Sequence, residues 1–353
     1  MSDQTDQRNP PADTSAAPTA DEAAVRAELS EMLFGFMRTQ AIASAAKLGV
    51  ADVVIYGSPA DVGEIASRLE ADESSLYRLL RFLASQGVFE EVEPRRFAHT
   101  RLSRGLMSSA PLTLRYIAIA MGSEQYHAWS RATDAFVTGE PGFDLAFGQP
   151  YFDYLAEHPD QSTTFNRAMA AGTRARVQAL VALDWSTHER IADIGGGSGT
   201  ALATVLAANP HLRGVLFDLP TVVAEAPAIL EEAGVVERCD IVGGNFLSDP
   251  LPPAGTYVLS QILHDWGDDQ ALAILRNCRR TLATDGRLLV LDGVVPPGPE
   301  PGFLKHMDLH MLVMLGGKER TETEWRDLLA AAGFEIVRIT PAGPADLIEA
   351  RPT

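Results

Sequence analysis

A short glycine-rich segment constrains the fold of this chain more than any other feature. Residues 190–201 read Arg-Ile-Ala-Asp-Ile-Gly-Gly-Gly-Ser-Gly-Thr-Ala, an apolar run that ends in a turn and continues into a helical pattern. This order is typical of the first strand, turn and helix of a doubly wound α/β domain. A second acid, Asp218, ends the next apolar run, where such folds bind ribose hydroxyls. The segment therefore predicts a site for the nucleoside end of a cofactor, with Asp193, Gly195, Gly197 and Gly199 forming the turn.

The spacing of the glycines indicates which cofactor the turn holds. A dinucleotide fingerprint needs G-x-G-x-x-G or a final alanine, and Thr200 occupies the sixth position when counting starts at Gly195. The pattern D-x-G-x-G-x-G fits at every fixed position instead. That pattern resembles the S-adenosylmethionine turn of Rossmann-like methyltransferases. A plain tight turn between a strand and a helix remains the alternative at this point.

Composition narrows the class of protein. The chain has 353 residues, enough for two domains, with 46% hydrophobic and 22% charged residues, as in a globular protein. No apolar run approaches the ~20 residues of a membrane span, so no membrane partner is expected. The net charge of −18 disfavours a nucleic-acid partner. Two cysteines without a C-x-x-C spacing argue against a disulfide framework and a zinc site, and suggest the reducing cytoplasm.

The N-terminal third divides into a tail and a helical domain. Residues 1–21 are polar and rich in Pro, Thr, Ala and Asp, which predicts a disordered tail rather than a signal peptide. Helical spacing follows over residues 22–60, with further helices at 61–69 and 74–83 and a hairpin at 87–92 and 96–99. This order predicts a winged helix-turn-helix over residues 22–110. Its wide apolar surface suggests pairing with a second subunit, hence a homodimer.

A winged helix raises the alternative of a DNA-binding or ligand-sensing regulator. Residues 61–104 carry eight acids and seven basic residues, and no basic face forms on the 74–83 helix. A DNA reader needs cations that neutralise phosphates, so the charge balance disfavours this alternative.

The rest of the chain changes from helices to alternating strands and helices. Residues 111–185 have a helical pattern and are expected to form a linker that borders the substrate cleft. From 186 to 353, strands are predicted at 190–194, 214–218, 239–242, 256–260 and 287–292, with a terminal hairpin at 334–340 and 346–350. A parallel sheet that ends in an antiparallel hairpin is similar to the seven-stranded methyltransferase fold. Ligands should bind at the carboxyl ends of its strands.

A second motif makes the resemblance specific. After the fourth strand, residues 259–266 read Leu-Ser-Gln-Ile-Leu-His-Asp-Trp. Together with the glycine turn, this resembles the S-adenosylmethionine-dependent O-methyltransferases that act on small aromatic molecules, in plants and in bacterial antibiotic tailoring. Matching pieces at 165–169, 307–313 and 316–321 extend the similarity from about residue 25 to the end.

The resemblance implies the catalytic residues. His264 matches the family's general base, and Asp292 and Glu319 match the two acids that flank it. A base is useful because a phenol with a pKa near ~10 is mostly protonated at neutral pH and is then a poor nucleophile. Removing the proton as attack begins is typically worth ~10²–10⁴-fold in rate. The implied cofactor is S-adenosylmethionine, with S-adenosylhomocysteine as product and no metal.

The resemblance also implies ligand contacts. Asp218 and Leu219 should contact the ribose, and the glycine turn the amino-acid tail. Further cofactor contacts are expected from Asn245, Phe246, Ser260, Gln261 and Trp266. The expected walls of the substrate cleft are Trp129, Phe165, Met169, Asp265, Met307, His310 and Met311.

Three positions depart from the family pattern. Asn245 stands where an acid is usual, Asp292 where plant members have a longer glutamate, and Ser260 where a lysine is frequent. Some relatives bind the cofactor yet catalyse hydroxylation or rearrangement, and in these the base is typically replaced. A non-methylating hydroxylase or cyclase is therefore the main alternative, and His264 favours methyl transfer to a phenolic hydroxyl of a small aromatic or polyketide-type compound.

Overall fold

The structure is a computed structural model that describes residues 19–343 and 345–353. The predicted tail over residues 1–21 lies outside the described residues except for its last three, and Ala20 and Asp21 already belong to the first helix. Thr19 begins this helix because its side chain and that of Glu22 form a reciprocal capping box.

The N-terminal region is a winged helix-turn-helix, as the sequence predicted. Asp61 and Asp72 cap the two helices of the motif by accepting backbone N–H bonds of 2.8 Å from Gly63 and Ser75. The wing is an antiparallel hairpin to which a short strand adds a third member. The elements are α1 (Ala20–Leu33), α2 (Gly35–Leu48), α3 (Val50–Val53), β1 (Ala60–Asp61), α4 (Val62–Leu69), α5 (Glu73–Ser85), β2 (Phe89–Glu93), β3 (Arg96–His99) and α6 (Arg101–Arg104).

The middle region is helical, as expected, and one of its helices is long enough to reach the C-terminal domain. The helix α12 packs against α14, the helix that follows the glycine turn. A cluster of aromatic side chains fixes the shorter helices to one another and to α18. These elements are α7 (Arg115–Met121), α8 (Glu124–Trp129), α9 (Ala132–Thr138), α10 (Gly142–Phe147), α11 (Tyr151–Glu157), α12 (Pro159–Arg176) and α13 (Gln178–Val181).

The C-terminal domain contains a seven-stranded sheet in the order β11-β12-β8-β7-β4-β5-β6. Five strands are parallel, and β12 pairs antiparallel with β8 and with β11, which confirms the predicted terminal hairpin. Its strands are β4 (Arg190–Ile194), β5 (Arg213–Asp218), β6 (Cys239–Gly243), β7 (Thr256–Ser260), β8 (Arg287–Asp292), β9 (Val294–Val295), β10 (Arg320–Thr321), β11 (Phe334–Pro341) and β12 (Asp346–Pro352).

Helices cover both faces of this sheet, each over its own apolar cluster. One face packs against α17 and α19, and the other against α14 and α16. The helices are α14 (Thr200–Ala208), α15 (Pro220–Val223), α16 (Ala226–Glu232), α17 (Asp268–Thr281), α18 (Phe303–Leu315) and α19 (Glu322–Ala331). The order of β4, β5 and β7 brings the glycine turn, Asp218 and the His264 segment to one edge of the sheet.

Candidate active site

The glycine turn connects β4 to α14 in a conformation that its sequence requires. Gly195, Gly197 and Gly199 have φ angles of +72°, +60° and +84°, in the left-handed region that favours glycine. The N–H of Gly195 donates to the carbonyl of Phe217 at 2.7 Å, which ties the turn to the neighbouring strand β5. An added Cβ at Gly197 would meet no atom within 4 Å, so open space lies beside the turn.

Asp193 lies beneath this turn without a partner. Its side chain is 2% exposed, and neither carboxylate oxygen has a hydrogen-bond partner among the residues that the structure describes. Burial, aided by the charge of Asp218, raises the pKa of Asp193 to about 7. A buried carboxylate in this condition is costly for the apoprotein and is suited to act on a ligand.

Asp218 links the turn to the end of β5. Its Oδ2 accepts the N–H of Gly197 at 2.8 Å, and its Oδ1 accepts the N–H of Leu219 at 2.7 Å. Burial raises the pKa of Asp218, and these two backbone hydrogen bonds oppose the shift. Each oxygen keeps a further lone-pair direction, so the carboxylate can also accept hydroxyl groups of a ligand.

The expected adenine contacts Asn245 and Phe246 follow β6, and Trp266, which follows β7, packs against Phe246. Phe246 and Trp266 meet edge to face, with ring centroids 5.9 Å apart and planes at 88°. Asn245 is exposed, and its Oδ1 caps its own loop by accepting the N–H of Leu247 at 2.9 Å. Asn277, which sequence analysis did not single out, is 2% exposed and donates to the carbonyl of Phe246 at 2.8 Å. This hydrogen bond therefore attaches the loop that carries Phe246 to α17.

His264 lies on a 3₁₀ turn, Leu263–Asp265, at the carboxyl end of β7. Its Nδ1 is 2.8 Å from Oε1 of Glu319, and both side chains are buried. Its Nε2 is 3.4 Å from Oδ1 of Asp265, too far for a good hydrogen bond. Burial by itself lowers the pKa of His264, but the charges of Asp265, Asp292 and Glu319 outweigh it and raise the pKa to about 10.

The two acids predicted to flank the histidine have different positions. Glu319 contacts the imidazole, as expected. Asp292 is fully buried and binds the turn instead, because its Oδ2 accepts the N–H of Leu263 at 3.2 Å and its Oδ1 accepts Nε2–H of Gln261 at 3.1 Å. The shorter aspartate thus fixes the backbone that carries His264 and does not hydrogen-bond the imidazole.

Two expected ligand contacts have other partners in the structure. Gln261, expected at the cofactor, uses its amide on Asp292 and on the carbonyl of Leu291. Its φ of +57° is unusual for a residue with a side chain, which marks a constrained turn. Asp265, expected at the substrate, faces Nε2 of His264; burial raises its pKa to about 6, against the opposing charge of His264.

In the segment 316–321, Glu319 was expected at the site, but the roles of Arg320 and Gly317 were not predicted. Arg320 is fully buried and donates to the carbonyls of Leu263 and Trp266, each at 2.9 Å, so it holds the turn from the other side. An added Cβ at Gly317 would stand 2.2 Å from the carbonyl oxygen of His264. A glycine there lets the two segments approach, and Lys318 N–H then bonds that same carbonyl at 2.9 Å.

The expected substrate residues fall into two groups. Trp129 and His310 meet between α8 and α18, where the indole Nε1–H donates to Nδ1 of His310 at 3.1 Å. Phe165 instead packs edge-on against Tyr151 at 5.6 Å and belongs to the aromatic cluster. Met169 and Met307 are half-buried, whereas Met311 is buried.

One further basic residue lies on the helix that carries Phe165 and Met169. Arg176 follows them on the same face of α12, at intervals of eleven and seven residues. Its Nε is buried and has no hydrogen-bond partner in the described part of the chain. Burial lowers its pKa, and the charge of Asp292 opposes this, so the guanidinium lies within electrostatic reach of the site.

Among the described residues, no group of three or more His, Cys, Asp or Glu side chains has an arrangement that could hold a metal ion. No helix among residues 19–343 and 345–353 is long and apolar enough to cross a membrane.

Comparisons with known proteins agree with the fold. The phenazine O-methyltransferase of Lysobacter antibioticus is 44% identical over 326 residues, which cover 92% of this chain and 95% of that protein. The structure of the mitomycin 7-O-methyltransferase has a TM-score of 0.89 at 34% identity, covering 95% of this chain and 100% of that one. A third structure is that of an O-methyltransferase from neocarzinostatin biosynthesis in complex with S-adenosylmethionine and 2-hydroxy-5-methyl naphthoic acid. It has a TM-score of 0.79 at 31% identity, and the match covers 90% of this chain and 96% of that one.

Relatives that methylate nitrogen also match. The phenazine-1-carboxylate N-methyltransferase of Pseudomonas aeruginosa is 30% identical, and the match covers 88% of this chain and 92% of that protein.

The sequence profile of the O-methyltransferase dimerisation domain matches residues 30–109, and that of the O-methyltransferase domain matches residues 129–335. The chain therefore belongs to the family of S-adenosylmethionine-dependent O-methyltransferases.

Proposed function

We propose that this enzyme methylates a phenolic hydroxyl of a small aromatic natural product, with His264 as the group that accepts the phenol's proton. The observation that carries the proposal is the buried pair of His264 and Glu319, joined at 2.8 Å at the carboxyl end of β7. The pair lies at the sheet edge where the glycine turn and Asp218 also end.

The residues present fit S-adenosylmethionine. Asp193 and Arg176 carry buried polar atoms that have no hydrogen-bond partner among the described residues, and the Asp218 carboxylate keeps lone pairs for ribose hydroxyls. The guanidinium of Arg176 suits the carboxylate of the amino-acid tail. The pair Phe246 and Trp266 offers aromatic edges and faces for the adenine. When bound, this cofactor supplies an electrophilic methyl group on a sulfonium, and the transfer releases S-adenosylhomocysteine and one proton.

Glu319 decides which nitrogen of His264 works. Because Glu319 accepts a hydrogen bond from Nδ1–H, the lone pair that can take a proton lies on Nε2. Among the described residues, Nε2 has as its polar contact only the 3.4 Å approach to Asp265, so a phenolic oxygen can replace that contact. The Asp265 carboxylate would then stabilise the imidazolium that forms.

The shifted pKa supports this role. A histidine pKa of about 10 is close to that of an ordinary phenol, ~10, so moving the proton from phenol to imidazole costs little free energy. Near neutral pH most of the imidazole is protonated, so the neutral form that takes the phenol's proton on Nε2 grows as the pH rises toward 10. Proton transfer to that form gives a phenolate opposite an imidazolium. The imidazolium and the phenolate together contain the same atoms as the neutral imidazole and the phenol. Only the proton has moved, and the phenolate is a strong nucleophile.

Labelled S-adenosylmethionine and a panel of paired phenols and aromatic amines test the proposal. We expect label in the phenol ethers, formed fastest above neutral pH. Label only in the amines would instead place the enzyme with the N-methylating relatives. Hydroxylated or cyclised products without label would support the non-methylating alternative.

The same proposal includes a homodimer with no metal and no nucleic-acid or membrane partner, acting in the cytoplasm. Every residue of α1 is at least partly exposed, and Met32 and Leu33 are 75% and 73% exposed. An apolar surface of this kind supports burial by a second copy. Light scattering should give the mass of two chains, and a monomer at micromolar concentration would contradict the dimer.

A further inference from the structure

The contact between Trp129 and His310 fixes the protonation state of a buried histidine outside the catalytic pair. An indole N–H can only donate, so Nδ1 of His310 must accept and carries no proton. The ring planes differ by 12° and the centroids are 6.3 Å apart, a side-by-side arrangement that places the N–H near the plane of the imidazole lone pair. The proton of the neutral ring is therefore on Nε2.

Burial keeps this ring neutral. His310 is 8% exposed, and burial lowers its pKa to about 4. A second proton on Nδ1 would also point directly at the indole N–H. The imidazole of His310 therefore stays a neutral donor at neutral pH, in contrast to His264.

The donor atom has no protein partner. Nε2 of His310 makes no hydrogen bond to the part of the chain that the structure describes, and it is not among the enclosed polar atoms that lack one. Nε2 is therefore partly accessible to a ligand or to water. Met307, one turn earlier on α18, shares this face of the helix and is half-buried. The same helix bonds the catalytic segment, because Asp308 accepts the N–H of Glu319 at 3.0 Å.

We propose that Nε2–H of His310, oriented by Trp129, selects aromatic substrates that carry a hydrogen-bond acceptor, a carbonyl oxygen or a ring nitrogen, in addition to the hydroxyl that is methylated. This inference rests on the proposed function and names its substrate class. An acceptor-free substrate that covers Nε2 leaves this donor without a hydrogen bond, whereas a substrate with an acceptor satisfies it. A donor fixed by a neighbouring side chain discriminates strongly because it loses little freedom on binding.

Binding of matched compounds tests the proposal without turnover. 1-Hydroxyphenazine and 1-hydroxyanthracene differ only in ring nitrogens, and 5-hydroxy-1,4-naphthoquinone and 1-naphthol differ in carbonyl groups. With S-adenosylhomocysteine present, the wild type should prefer an acceptor-bearing member by roughly tenfold in Kd in at least one pair. In His310→Phe this ratio should approach one. The matched control His306→Phe, an exposed histidine on the same helix, should keep the ratio.

A second variant separates orientation from shape. Trp129→Phe keeps an aromatic ring but removes the N–H that bonds Nδ1 of His310. The Kd ratio within a compound pair should then lie between the wild-type value and one. Nitrogen-15 spectra should show an unprotonated Nδ1 and a protonated Nε2 for His310 in the wild type, and a mixture in the variant. A ratio unchanged in His310→Phe, or a wild-type ring protonated on Nδ1, would overturn the proposal. Failure of all phenols to accept label would instead refute the proposed function.

Discussion

Asp193 is the position where stability and ligand binding oppose each other most clearly. Its carboxylate is buried at the end of β4, lacks a hydrogen-bond partner among the described residues and lies close to the charge of Asp218. Asp193→Asn keeps the shape of the side chain and removes the ionisation. The variant therefore isolates the cost of a buried negative charge under the glycine turn.

The pKa of Asp193 sets the size and the sign of the effect. Folding raises it from 3.8 to about 7, so the folded state binds the proton more tightly than the unfolded chain. Below about pH 4 both states are protonated and the variant should match the wild type. As pH rises to about 7 the wild type loses up to about 4 kcal/mol of unfolding free energy that the variant keeps.

Urea unfolding of both proteins across this pH range measures the difference directly. We expect the variant to become progressively more stable than the wild type between about pH 4 and pH 7 and to keep that advantage at higher pH, while its affinity for S-adenosylmethionine falls. The control Asp240→Asn removes an exposed carboxylate paired with Arg190, and should change stability by less than ~1 kcal/mol at every pH. Parallel pH profiles for the wild type and Asp193→Asn would refute the reasoning.

Three further outcomes are expected. Asp218→Asn should weaken S-adenosylmethionine binding by at least about tenfold in calorimetry, since a charged acceptor is lost; an unchanged Kd would contradict its ribose contact. Glu319→Gln should lower the pKa of His264 by roughly one to two units in an NMR titration and lower turnover about 10–100-fold, because a charge-assisted bond of ~1.5–3 kcal/mol is removed; an unchanged titration would show that the bond is weak. EDTA should leave turnover unchanged, and strong inhibition that a divalent metal reverses would require a metal-dependent scheme.

Much of the fold was predictable because its signals are local. Apolar runs of five or six residues marked β4, β5, β7 and β8, and all four are buried along most of their length. The terminal hairpin was predicted within two residues at each end. The two-stranded pairing of β9 with β10 was missed, because each strand has two residues and its partner is distant in sequence.

The site was predictable only where a motif carried it. His264 and Glu319 were found through the family resemblance, and the structure joins them across 55 positions of sequence. The sequence did not predict that Asp292 binds the backbone of Leu263 and not the imidazole, because which atom a shortened side chain reaches depends on the folded structure. Arg176, Asn277 and Arg320 were missed because an isolated basic or amide residue gives no sequence signal until its burial is known.

The most direct test of the account is single-turnover methyl transfer by His264→Asn with a phenol that the wild type methylates. The variant keeps a polar side chain that can bind Glu319 but cannot hold the phenol's proton. We predict that the rate falls by ~10²–10⁴-fold, as is typical when a general base is removed, while the Kd for S-adenosylmethionine changes only a few-fold. A variant that transfers the methyl group at the wild-type rate would contradict the central role of His264.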